Sequence, residues 1–529
     1  MSENSAWPGA LRRIMPAMTR IAPQPVKLQS EACYRALQAR DARFDGRFFT
    51  GVTSTGIYCR PVCKVRTPKR ENCLFFEYAA QAEGAGFRPC LRCRPELAPG
   101  LVRWSVQDAS ATLAWQAQRL LDDAHARSGN ALSGACVSQV AARLGISERH
   151  LRRIFQAQWG ISPLQYLQTR RLLTAKQLLT DTGLPIAQVA QASGWASARR
   201  LQAALAQGYG LSPTQLRRAG TAAPTVTATA TALRLAYRPP YDAQAMLCFL
   251  QQRQLLGVEH VAPDARQPEL ARTLRIDEGT RSWRGWIRAR FDLMHDQVLL
   301  QVSEGLHPAL PQVLQRVRSW LDLDADPLAI NAVLHTSFPQ GDGLRVPGCM
   351  DGFELAVRAI LGQQITVAAA RTLAQRLVQR FGEPLATPYP ELTHLFPSAA
   401  TLARADGASL GALGIVRQRQ AAIVALAQAV LSAQLQLHSS ADVPRTLSQL
   451  QALPGIGAWT AQYIAMRALR WPDAFPAADV ALHKTLGVQH LPHPARTAQA
   501  ASQAWRPWRS YAVVRSWAGM AATTATRSH

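Results

Sequence analysis

The hydrophobic period changes several times along the chain, and each change marks a different kind of element. From residue 105 to 218, apolar positions recur at helical spacing among Ala, Leu, Gln and Arg, which predicts an almost wholly helical segment. Between 233 and 305 the period falls to two, as in Gln297-Val298-Leu299-Leu300-Gln301-Val302, which predicts half-buried strands. From Pro308 the helical period returns and runs to the end. Residues 27–100 hold short strand-like runs such as Arg47-Phe48-Phe49-Thr50-Gly51-Val52 among cysteines and aromatics, the pattern of a small α+β domain. Two stretches show no period: 1–26, read as a flexible leader, and the Ala/Thr-rich linker 219–232. The expected fold class is multidomain and mainly α, with units at 27–100, 105–218, 233–305 and 306–525.

The helical block 105–218 repeats itself. Gln139-Val140-Ala141 recurs as Gln188-Val189-Ala190, Gly145 as Gly194, and Gly160-Ile161-Ser162-Pro163 as Gly210-Leu211-Ser212-Pro213. Each copy reads helix, tight Gly turn, then a second helix bearing arginines, which is helix-turn-helix order. Ser147 is a good N-cap for the first such helix, which carries Arg149, Arg152 and Arg153; Ser197, Arg199 and Arg200 stand in the second copy. Residues 130–218 hold 11 basic and two acidic side chains. A basic helical bundle with a solvated face would also give such a count, but two copies in register favour DNA binding. The block resembles the paired helix-turn-helix domain of the AraC family of transcription regulators.

Charge sharpens this picture. The chain has 529 residues and a formal charge of +25, and residues 1–220 carry 30 Lys+Arg against 13 Asp+Glu. The expected partner is an anionic polymer, DNA or RNA. No apolar run is long enough to cross a bilayer, and Met1 to Pro25 lacks the apolar stretch of a secretory signal. Nine cysteines, an odd number with five scattered, argue for a reducing compartment and against a disulfide framework. A cytoplasmic protein is expected.

Four of the nine form two close pairs, Cys59/Cys63 and Cys90/Cys93, with 26 residues between the pairs. That spacing suits one zinc ion. The first pair lies in Tyr58-Cys59-Arg60-Pro61-Val62-Cys63-Lys64-Val65-Arg66, whose cations, Arg60 and Arg66 among them, suit a phosphate backbone. On spacing alone such a quartet reads as a closed structural site, its usual role; the cationic flank points instead to a source of nucleophilic thiolate. Cys59-Arg60-Pro61-x-Cys63-x-x-Arg66, Arg70-Glu71-Asn72 and Gly86-Phe87-Arg88-Pro89-Cys90-x-Arg92-Cys93 together resemble the N-terminal domain of the Ada family over about residues 30–97. The resemblance implies that Cys59, Cys63, Cys90 and Cys93 hold zinc. It also implies that Cys59 accepts a methyl group from a DNA methylphosphotriester. Cys33 and Cys73 are expected to be ordinary buried cysteines, and Cys349 does not match the second acceptor motif of that family, Pro-Cys-His-Arg.

Near the C-terminus, Leu453-Pro454-Gly455-Ile456-Gly457-Ala458-Trp459-Thr460-Ala461 reads as a glycine hairpin opening a helix. Backbone N–H groups and the helix dipole there suit a DNA phosphate, although a hairpin this short also serves as a plain helix–helix turn. With Phe475-Pro476-Ala477-Ala478-Asp479-Val480 it resembles the helix-hairpin-helix DNA glycosylase superfamily, which implies that Asp479 is the catalytic carboxylate. Asp473, the competitor, precedes the Pro and matches less well. Trp459 stands where lyase members carry Lys, so no Schiff base is expected. The segments Gly352–Gln364 and Trp505–Tyr511 resemble the alkylpurine glycosylase family AlkA. That likeness puts Gln364 at the base-stack wedge, where Leu is usual, and Trp459, Tyr463 and Trp517 around the base. Val480 replaces a Tyr, and Trp505 and Trp508 are expected in the core. By the same likeness residues 233–305 are a β-rich α+β AlkA-type N-terminal domain and 306–525 an all-α helix-hairpin-helix glycosylase domain.

The whole reads as a fusion: a DNA-methylation sensor, a transcription activator and a monofunctional glycosylase for alkylated bases. It implies one Zn2+, double-stranded alkylated and promoter DNA and RNA polymerase as partners, and a monomer at the bacterial nucleoid. The alternative is a transcription regulator with an inactive glycosylase domain, against which the intact hairpin and Asp479 argue.

Overall fold

The computed structural model describes residues 30–100, 109–127, 133–219, 230–263 and 268–527; the leader 1–26 and residues 220–229 of the linker lie outside them. In the first unit, helix Ser30–Ala39 covers a four-stranded sheet ordered Cys73–Phe76, Phe49–Val52, Ile57–Cys59, Arg88–Pro89. Alternation gives the sheet two apolar faces. Phe48 and Phe75 pack with Cys33, Leu37 and Cys73 on one, and Phe49, Tyr58, Phe76 and Phe87 cluster on the other. Cys33 and Cys73 are therefore core side chains, as expected.

The repeated helical block forms seven helices, Ala109–Arg127, Ser133–Arg143, Glu148–Trp159, Pro163–Asp181, Ile186–Ala192, Ala198–Tyr209 and Pro213–Ala219. The repeat shows in the caps. The Ser147 hydroxyl accepts from His150 N and the Ser197 hydroxyl from Arg200 N, both at 3.2 Å. Gly160 and Gly210 end the two arginine-bearing helices at φ 65° and 64°, a left-handed conformation open to glycine. Arg149, Arg152, Arg153, Arg199 and Arg200 all lie exposed on these helices.

The period-two segment folds as a five-stranded antiparallel sheet ordered Ala230–Ala236, Gln297–Ser303, Arg281–Asp292, Glu269–Glu278, Glu259–Ala262. Val298, Leu300 and Val302 point to its buried face, which shares one apolar cluster with the second helix-turn-helix copy. The remaining helices enclose two cores, one around Ile360, Ile423 and Ile464 and the other around Phe475, Leu482 and Val513.

Buried polar groups join these units. Arg238 is fully buried, and its guanidinium donates to five carbonyls: Asp45, Pro99 and Gly100 in the cysteine domain, and Asp324 and Ala325 at the entry to the last domain. Lys176 and Arg94 share Glu96, and Arg94 also pairs with Asp181, all in the interior. Glu83 accepts from the hydroxyls of Tyr58, Tyr209 and Thr169, which ties the cysteine domain to both helix-turn-helix copies. Burial pushes the Glu83 carboxyl up to about 7 despite those three donors.

Arg238→Met removes every partner of those five carbonyls at once. It should cost about 3–5 kcal/mol, since each buried acceptor left unsatisfied costs about 1–3 kcal/mol and some would find new partners. Urea unfolding followed by tryptophan fluorescence should show a clearly lowered midpoint, and an unchanged midpoint would contradict the role given to Arg238.

Candidate DNA-modifying sites

The four cysteines converge. Cys59 ends strand Ile57–Cys59, and Cys63 follows a tight turn closed by its own N–H on Arg60 O at 3.2 Å. Cys90 is set by its N–H on Tyr58 O at 3.0 Å. The four Sγ atoms all lie within 4.8 Å of one another. Four thiolates about 2.3 Å from a common centre stand about 3.8 Å apart in a tetrahedron, so this cluster needs little adjustment to hold one Zn2+. Arg60 N donates to Cys93 Sγ at 3.3 Å, a backbone bond onto a ligand sulfur.

Arg60 corrects the sequence reading. Instead of facing DNA it is buried, with its guanidinium paired to Asp45 and donating to Cys93 O at 3.0 Å. Asp45 is itself buried, so the ion pair is internal and braces the Cys93 turn. Nothing near Arg60 in sequence signals this, because Asp45 lies 15 residues upstream. Lys64 and Arg66 remain exposed beside the cluster.

In the last domain, helix Val443–Gln451 leads through Pro454-Gly455-Ile456-Gly457 into helix Ala458–Arg467. Gly455 adopts φ 75°, which its turn requires and other residues resist. Gly457 caps the second helix without any side-chain bond, and nothing lies within 4 Å of where its Cβ would be. Pro454 and Gly457 are exposed, so the first-turn N–H groups open onto free space. The hairpin is braced by Gln363, which sequence reasoning missed. Its Nε2 donates to Gly455 O at 2.8 Å and Thr460 Oγ1 at 3.0 Å, and Arg419 holds its carbonyl. Gln364, the next residue, is exposed at φ 56° in the turn before helix Val367–Phe381. Gln364 thus follows directly on the residue that braces the hairpin.

Asp479 caps helix Val480–Thr485 and is 8% exposed. Its Oδ1 accepts from Leu482 N at 3.0 Å and Trp517 Nε1 at 3.2 Å, and its Oδ2 from Trp459 Nε1 at 3.0 Å. The Trp459 ring stacks on Tyr463 at 5.2 Å between centroids, with planes 10° apart, and Tyr463 meets Trp517 at 6.3 Å. The three aromatics and the carboxylate thus form one partly open group, with Val480 exposed at its edge. Asp473 is a different kind of residue: buried and locked by both Arg506 and Arg509. Trp505 and Trp508 lie in the core.

A cysteine metal cluster, a paired helix-turn-helix and a hairpin beside a capped aspartate define a modular DNA-repair protein that also binds DNA as a regulator. Comparison with known proteins agrees unit by unit. The metal binding domain of Ada matches residues 32–96, a helix-turn-helix domain 140–219, the AlkA N-terminal domain 232–351, and the HhH-GPD superfamily of base excision DNA repair proteins 357–510. The AlkA N-terminal match runs past the 305 boundary expected from the hydrophobic period. A probable bifunctional transcriptional activator/DNA repair enzyme AlkA of Mycobacterium tuberculosis H37Rv is 39% identical over 92% of this chain and 96% of its own. DNA-3-methyladenine glycosylase 2 of Escherichia coli K12 is 37% identical over 54% of this chain and 95% of its own. Among solved structures, a 3-methyladenine DNA-glycosylase from Archaeoglobus fulgidus aligns over 54% of this chain and 96% of its own, at 17% identity and a TM-score of 0.44. The chain belongs to the family of bifunctional transcriptional activator/DNA repair enzymes that join an Ada-type N-terminal half to an AlkA-type glycosylase.

Reduced, purified protein should carry one zinc per chain by elemental analysis, and Cys63→Ser should lose it. Stoichiometric zinc retained by the Cys63→Ser protein, or none in the wild type, would contradict the assignment.

Proposed function

We propose that the chain excises alkylated bases of the 3-methyladenine type from double-stranded DNA with Asp479 as the catalytic carboxylate, and that it accepts methyl groups from DNA methylphosphotriesters at Cys59. The observation that carries the first part is the Asp479 carboxylate, oriented by two indole N–H groups rather than by a cation and placed beside the stacked Trp459 and Tyr463. A flipped nucleotide would place its base against these rings and its sugar by the carboxylate. As the C1′–N bond breaks, its electron pair leaves with the base and the sugar becomes oxocarbenium-like. Asp479 stabilises that charge, and water adds to C1′ with loss of a proton. Gln364 fills the emptied stack, and the N–H groups after Pro454, Gly455 and Gly457 hold a phosphate. Because residue 459 is Trp, the reaction stops at the abasic site.

At the other end, zinc would keep the four thiols of Cys59, Cys63, Cys90 and Cys93 ionised. The Cys59 sulfur attacks the methyl carbon, the methyl–oxygen bond breaks, and an ordinary phosphodiester anion leaves. The product is a neutral thioether, so one negative charge facing the DNA is lost. Promoter binding by Arg149, Arg152, Arg153, Arg199 and Arg200, with Arg66 on the backbone, would then tighten. Activation through RNA polymerase, action as a monomer and a place on the nucleoid belong to the same proposal.

Incubation with methylated DNA should release free alkylated base without a borohydride-trapped adduct, and mass spectrometry should find one added methyl on Cys59. A trapped covalent adduct, or methyl on another residue with Cys59 unmodified, would overturn the corresponding half.

A further inference from the structure

Trp159 and Tyr209 hold the same place in the two copies of the helix-turn-helix repeat. Each is the last residue of its arginine-bearing helix, one before the capping Gly160 or Gly210. Both are buried, and both meet the same short helix of the cysteine domain, Ala79–Gly84. Gln81 Nε2 donates to Trp159 O at 2.7 Å, and the Tyr78 ring, just before that helix, meets the Trp159 ring edge-on at 5.7 Å. The Tyr209 hydroxyl donates to Glu83 Oε1 at 3.0 Å. Two residues of one short helix thus bind the two copies at equivalent positions.

The contact continues along the helix between the copies, Pro163–Asp181. Its Thr169 hydroxyl donates to Glu83 Oε2 at 2.6 Å, Lys176 pairs with Glu96, and Asp181 pairs with Arg94. The cysteine domain therefore lies along this helix as a splint. The copies need one, because among the described residues they do not share an apolar core. Leu151, Phe155 and Trp159 of the first copy cluster with Tyr78 and Ala80 of the cysteine domain. Leu201, Leu205 and Tyr209 of the second cluster with the five-stranded sheet instead. The linking helix enters both clusters, with Tyr166 and Leu167 in the first and Leu172 and Leu178 in the second. One helix fixes two bodies only as well as it resists bending between them. Ties from both bodies to a third remove that freedom.

Two helices that enter successive major grooves must match DNA in both distance and angle. One turn of DNA is about 34–36 Å and 10–10.5 base pairs, so one inserted base pair moves a half-site by about 3.4 Å and turns it by about 35°. Whether that shift is tolerated depends on how firmly the two helices are held to one another. We propose that helix Ala79–Gly84 holds the two arginine-bearing helices in register, so that Gln81 and Glu83 are positioning residues that set the half-site spacing this chain accepts in duplex DNA. The Tyr58 hydroxyl also donates to Glu83, at 3.0 Å, and Tyr58 is followed directly by Cys59. The splint is thereby seated on the strand that carries the first cysteine of the metal cluster.

The inference rests on promoter binding by the paired helix-turn-helix, and the test separates the two. The probe is the duplex that the full wild-type chain, already incubated with methylated DNA, enriches from a library with a core of about 30 random base pairs, long enough for two half-sites. A second probe carries one extra base pair between the two halves of that duplex. Affinity for both is measured at one fixed salt concentration, for wild type and variants treated alike. The wild type should prefer the parent duplex at least about tenfold. Tyr209→Phe removes only the hydroxyl that reaches Glu83. Gln81→Glu keeps an oxygen to accept from Glu77 N and Tyr78 N but loses the donor to Trp159 O. Each should compress the preference to about threefold or less, by weakening binding to the parent duplex more than to the other. If the variants lose affinity for both duplexes equally and keep the wild-type preference, the residues are merely structural and the inference falls. A wild type that binds both duplexes equally would also overturn it. If the wild type enriches no common sequence, promoter binding itself falls and the inference with it.

Discussion

Everything at the glycosylase site depends on how one buried carboxylate is satisfied. Asp479 and Asp473 are both acidic, both buried and six residues apart, yet their surroundings differ in kind. Asp473 is held by Arg506 and Arg509, so its charge is spent within the fold. Asp479 receives a helix N–H and two indole N–H groups, which orient it without cancelling its charge. No cation stands beside it among the described residues, which is the arrangement the proposed stabilisation of a developing sugar cation calls for. The two tryptophans donate to the acid, and under the proposed function they would also wall the base, which would couple pocket shape to catalytic geometry.

The same chemistry joins the units. A chain this rich in arginine must neutralise or solvate them, and several are instead used as internal ties. Arg238 ends on carbonyls of two other domains, Arg60 on Asp45 and the Cys93 turn, and Arg94 on Glu96 and Asp181. A guanidinium suits this use because its five donors lie in a fixed fork and it keeps its charge when buried. One line of contacts runs from Cys93 through Arg60 and Asp45 to Arg238 and on to Asp324. The sensor and the glycosylase are thus physically continuous.

What could be read from sequence was whatever is written locally. The cysteine pairs, the helix-turn-helix repeat with its Ser caps and Gly turns, and the alternation in Gln297–Ser303 each occupy a few consecutive residues. What escaped was long-range. Arg60 looked like a phosphate ligand because its immediate neighbours are cationic, and only folding brings Asp45 to it. Gln363 gave no sign of bracing a hairpin 92 residues away. Val480 was visible as a departure from the family pattern, but its exposure at the pocket edge required the fold.

The most direct measurement on the central claim is single-turnover release of 7-methylguanine by Asp479→Asn beside Asp473→Asn, with DNA affinity and urea midpoint recorded for each. The account predicts that Asp479→Asn loses on the order of 10²–10³-fold or more in rate while keeping DNA affinity and stability. Asp473→Asn should instead lose stability through its two stranded arginines. Near wild-type excision by a folded Asp479→Asn protein would show that the catalytic acid lies elsewhere.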